Sequence, residues 1–135
     1  MAFAAGCVSS SADDGDYLSK AEKTIDVVHS STQTVRLAVE VIKDGGGYDP
    51  YLGRLIGQAE QDATSAAGSF DVVQPPSTTA DALRAEVDQV TSDAIDVISA
   101  ARIAIRRDDE KAVAALGPDL DASAAALEAF KDAHG

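Results

Sequence analysis

The stretch from Thr78 to Arg107 constrains the chain most. Leu83, Val87, Val90, Ala94, Val97, Ala101 and Ala104 recur at alternating steps of four and three, the spacing of one face of an α-helix. Ile95, Ile98 and Ile105 widen that face toward its C-terminal half, so it must be buried against several partners. At ~1.5 Å per residue such a helix is a rod of ~45 Å. A rod of that length is no lone surface helix on a chain of 135 residues. It reads as one member of a bundle.

Three further stripes share the pattern. The first helix is expected over about residues 16–43, with Leu18, Ala21, Ile25, Val28, Thr32, Val35, Val39 and Ile42 on its seam. Lys43 and the glycines from Gly45 to Gly47 then stop it. The second runs over about 50–73, capped by Asp49 with Pro50 at its first position, and carries Leu52, Ile56, Ala59, Ala63, Ala66, Phe70 and Val73. Gly53 and Gly57 lie one above the other on it and predict close approach of a neighbouring helix. Pro75 and Pro76 end it, and Thr78 with Asp81 approximates a capping box for the third, over 78–107. The fourth, over 110–134, buries Val113, Leu116, Leu120, Ala124, Leu127 and Phe130, with a kink at Gly117-Pro118 that keeps the phase. No alternation of period two is present. The connections are short, so neighbours should be antiparallel. The expected fold is all-α: an antiparallel up-down-up-down four-helix bundle over residues 15–135.

Composition narrows the function. Aromatics are 4% of the chain and Trp is absent, so the core must be Ala, Val, Leu and Ile, which suits close helix–helix contact. Eleven Lys and Arg stand against 23 Asp and Glu, a net charge of −12. Such a chain repels phosphate backbones, and nucleic acid is not an expected partner. One Cys allows neither an internal disulfide nor a Cys-rich metal cage. No run approaches the ~18 apolar residues that a membrane span needs.

That single Cys stands in a particular context. Ala4-Ala5-Gly6-Cys7 resembles the lipobox that ends a bacterial lipoprotein signal peptide, with Ala4 where Leu is commonest. The polar run Val8 to Asp14 is similar to the tether that follows such a cysteine. The resemblance implies that residues 1–14 are the remnant of a signal peptide, the lipidation site Cys7 and a flexible tether. It also implies a protein anchored by lipid on the outer face of a bacterial cell membrane.

Cofactor and catalytic signatures are missing. A covalent haem needs CxxCH, and the only Met is Met1. Asp26 and His29, at i and i+3, are the one pair with the spacing of a di-iron bundle; His134 has Lys131 three residues before it, so no second pair exists. They are weak metal candidates, and no cofactor is expected. With no GxSxG, no phosphate loop and no triad order, the chain is not expected to be an enzyme. One grouping remains. An up-down bundle would gather Tyr48, Tyr51, Arg102, Arg106 and Arg107 toward the end far from the N-terminus, an expected docking patch for a protein or anionic partner. The expected function is a non-catalytic binding or scaffold module. Alternatives are a sensory or solute-binding bundle, with a small pocket between helices around Arg36 and Arg102, and a metal-binding bundle.

Overall fold

The computed structural model describes residues 13–46 and 49–135. The described residues are all-helical and form a helical bundle. Its elements are α1 (Asp14–Val41), α2 (Pro50–Asp71), α3 (Thr78–Arg106), α4 (Glu110–Ala115) and α5 (Gly117–His134). Leu116 alone separates α4 from α5, since Pro118 has no N–H to continue the ladder. Val113 and Leu120 are both fully buried on either side of that break, so the two pieces present one apolar face.

Each start has a side-chain cap, except at α5. Asp13 accepts from the Asp16 N–H at 2.8 Å, Asp49 from Tyr51 at 2.8 Å, and Asp109 from Ala112 at 3.0 Å. The cap of α3 is Ser77, whose hydroxyl accepts from the Ala80 N–H at 3.1 Å, and not Thr78 as the sequence spacing suggested. Ser77 holds the extended φ −153°, ψ 170° that an N-cap requires, whereas Thr78 is already helical. The Ser77 hydroxyl also donates to Asp14 Oδ1 at 2.6 Å, tying the start of α3 to the start of α1. At the other end, regular α1 ends at Val41, and a wider π-type turn over Ile42–Gly46 carries the chain into the break at Gly45, within the expected glycine stop. Gly45 there has φ +88°, a left-handed conformation that side chains disfavour.

The core is one cluster contributed by every helix. Tyr17, Ile25, Ile56, Ile98, Leu120 and Leu127 are its largest fully buried side chains. Burying each such side chain contributes ~1.5–3 kcal/mol. Two threonines lie inside it, Thr32 and Thr91, and both return their hydroxyls to the preceding turn, to the Val28 and Val87 carbonyls at 2.8 Å each. The expected stripes are displaced in places. Tyr17 is fully buried where Leu18 was expected, and its ring lies 5.0 Å from that of Phe70. On α3 Ile98 is fully buried, and Val90 and Val97 only partly. The close approach expected at Gly57 is absent: a methyl added there would meet nothing within 4 Å, and one at Gly53 would touch Ile105 at an ordinary 4.0 Å.

Candidate functional site: the end where α1 and α3 stop

The π-type turn after α1, the first turn of α2, the last turn of α3 and all of α4 come together at one end of the bundle. Asp49 and Asp109 are consumed as helix caps. Asp108 reverses the chain with φ +52°, the single positive φ at a described non-glycine residue. Pro50 and Asp49 start α2 so that Tyr51 projects outward, 60% exposed.

The arginines expected here divide. Arg106 and Arg107 are exposed, and neither forms an ion pair with a described residue. Arg102 does: its Nε donates to Glu60 Oε2 at 2.7 Å, with both side chains less than a third exposed. Glu60 thus binds the guanidinium across the α2–α3 contact, and Arg102 belongs to the bundle's own bracing. Tyr48 lies outside the described residues, as does Cys7.

Three cations that the sequence reading did not assign to the patch join the site. Lys43, Arg54 and Lys111 are likewise without an ion pair to any described residue. Of the six such basic residues in the described chain, only Lys23 lies elsewhere. Gly53 lies against Ile105, which brings Arg54 and Arg106, one residue on in each helix, to the same stretch of the α2–α3 contact. Asp44, Asp108 and Glu110 share this end, which makes it mixed in charge on a molecule of net charge −12. An acidic partner meets less repulsion here than on the rest of the bundle. Arg54 was detectable from sequence only through its spacing from Tyr51, a signal that any surface helix can carry.

The remaining expected residues lie elsewhere. Asp26 accepts from Lys131 Nζ at 3.0 Å, and that contact holds the Lys131 ammonium above its ordinary value. His29 faces Glu128 at 3.5 Å and Gln33 at 3.3 Å. The pair is therefore spread along α5, and no three His, Cys, Asp or Glu gather around it among the described residues. Arg36 is held by Asp121 at 2.7 Å and by Gln33 at 2.6 Å, on a groove shared with the start of α5 that Arg102 does not line. No helix among the described residues is long and apolar enough to cross a membrane. Compared with models of protein families, with curated proteins and with solved structures, the chain matches none.

Proposed function

We propose that this chain is a non-catalytic binding or scaffold module, held by lipid on Cys7 at the outer face of a bacterial membrane. In this reading it offers the end carrying Tyr51, Arg54, Arg106 and Arg107 to an acidic protein surface. The observation that carries the reading is the gathering of cations without ion pairs at that end, on a molecule whose other described Lys and Arg, Lys23 apart, are paired internally. Arginine and tyrosine supply planar, strongly interacting contact area at modest entropic cost.

The topology proposed for it is antiparallel, up-down-up-down. The register of its ion pairs supports this order. Asp26 meets Lys131, His29 meets Glu128 and Arg36 meets Asp121, so each advance along α1 is matched by an equal retreat along α5. Ser77 meets Asp14, as two helix starts at one end would. That arrangement would leave the tether at the membrane and the arginine end facing away from it.

Intact-mass measurement on protein extracted from its native membrane tests the anchor. A mature chain starting at an acylated Cys7 is expected; an unmodified Cys7 overturns it. The docking end is tested by in-cell cross-linking. Combining Arg54→Glu, Arg106→Glu and Arg107→Glu should abolish the adducts formed by the parent, while Lys23→Glu retains them. Unchanged adducts in the triple variant would remove this end from the proposal.

A further inference from the structure

The core uses one stripe of α1, and the helix carries a second on its solvent side. Val27, Ser30, Thr34, Leu37 and Val41 follow one another at steps of three, four, three and four, the a and d spacing of a heptad. Val27 is 40% exposed, Leu37 65% and Val41 48%, half of the large apolar side chains that the described residues leave in water. Such residues scattered singly need no explanation, whereas three on one line of one helix mark a contact surface. Between Val27 and Leu37 the stripe narrows to Ser30 and Thr34, and the Thr34 hydroxyl is already spent on the Ser30 carbonyl, at 3.0 Å.

This waist borders an open groove of ≈530 Å³ against α2, whose lining includes Ser31, Leu55, Ala59 and Ser65. Two carboxylates of that lining have partners within the molecule: Asp26 accepts from Lys131 at 3.0 Å and Asp62 from Gln58 at 2.8 Å. A floor of small side chains lets the axis of another helix come close.

The two ends of the stripe carry opposite charge. Lys23 stands four residues before Val27; Asp44 stands three after Val41, with Glu40 just before it. None of the three has an ion pair with a described residue. Along the helix the order is cation, aliphatic, small, small, aliphatic, aliphatic, anion. Run backwards, that order complements itself. In an antiparallel pair Val27 lies opposite Leu37 of the second copy, Ser30 opposite Thr34, and Lys23 opposite Val41. The Lys23 stem then covers Val41 while its ammonium reaches Glu40 and Asp44. Parallel pairing would instead set Lys23 on Lys23 and Asp44 on Asp44.

We propose that this face of α1, with the groove beside it, binds a second copy of the chain, α1 against α1 and antiparallel about a two-fold axis near Thr32. The contact is isologous, the same patch on both copies, and it lies apart from the arginine end. On the anchored reading above, the two tethers leave the pair from opposite ends, which sets the copies on two facing membrane surfaces.

Sedimentation equilibrium of the full chain tests the pairing. A monomer–dimer equilibrium is expected, and Leu37→Asp should weaken it at least about tenfold by placing a charge in the apolar contact. Val72→Asp puts the same charge on an aliphatic residue that is 68% exposed outside the stripe, at the end of α2, and should leave it within about twofold. Orientation is read from disulfides in a Cys7→Ser background. Mixing Ser30→Cys with Thr34→Cys protein should give the mixed dimer in preference to either like pair, since only facing positions come within bonding distance. A monomer at every concentration up to ~1 mM overturns the proposal, as do equal losses in Leu37→Asp and Val72→Asp. Preferential Ser30→Cys like pairs would show parallel helices and overturn it too.

Discussion

Burial, together with the hydrogen bond from Asp71, pushes the Asp88 carboxyl above its ordinary value of 3.8. The sign of its effect on stability follows directly. A carboxyl whose folded-state value is raised favours the folded protein while it is protonated, below its unfolded value. That contribution is lost as pH rises through the folded value. Above that value the ionised Asp88 carboxylate, buried in part and beside Asp71, is therefore a liability. Asp88→Asn keeps a donor for Asp71 and removes the charge, and it should raise Tm at pH 7 by ~1–4 °C, the scale of a half-exposed electrostatic contact. It should also flatten the fall in stability between acid and neutral pH. A lower Tm at pH 7 in calorimetry would mean that the Arg84 contact outweighs the repulsion. At the same scale, Tyr17 shows why a stripe on paper is only approximate. Tyr17 and Leu18 are neighbours, 100° apart on the helix, and either continues to Ala21 and Ile25. Contact with Phe70 on α2 decided for the tyrosine, and no local pattern contains that.

Element boundaries follow from backbone chemistry, and most were legible. Asp49-Pro50 starts α2 because an acceptor side chain precedes a residue that has no N–H to satisfy. Gly117-Pro118 breaks the last helix for the same backbone reason. Ser77 and Thr78 are both good caps by type, and selection between them rested on the second bond from Ser77 to Asp14, made across 63 positions of sequence. Ser77→Ala removes both bonds at once. The expected loss is ~1–3 kcal/mol, combining a cap and an exposed hydrogen bond. Urea unfolding should show a lower midpoint with an unchanged slope, while Thr78→Ala should cost less than half as much. Comparable losses in the two variants would return the cap to Thr78.

For the whole molecule, charge sets the balance. The cross-helix ion pairs are mostly half-exposed, and each is worth little. Self-repulsion of a net −12 acts everywhere on the surface. Raising NaCl from ~0.01 to ~0.1 M shortens the screening length from ~30 to ~10 Å. Thermal unfolding should therefore move upward with salt. A downward shift would show that Arg36–Asp121, Arg102–Glu60 and Lys131–Asp26 outweigh the repulsion.

Helical periodicity, the turn residues and the scarcity of aromatics were enough to determine an all-helical chain with its apolar faces turned inward, because those preferences act over one or two turns. Which cations stay free is another matter. Arg102 and Arg106 differ little in sequence context, yet Glu60, 42 positions before Arg102, occupies one and nothing described occupies the other. A groove between α2 and α3, lined among others by Asp71, Asp88 and Asp96, is equally invisible in one dimension, since its two walls meet only when the helices lie side by side. Short-range backbone chemistry decides the elements; pairing of charges across them needs distances that only the folded bundle supplies.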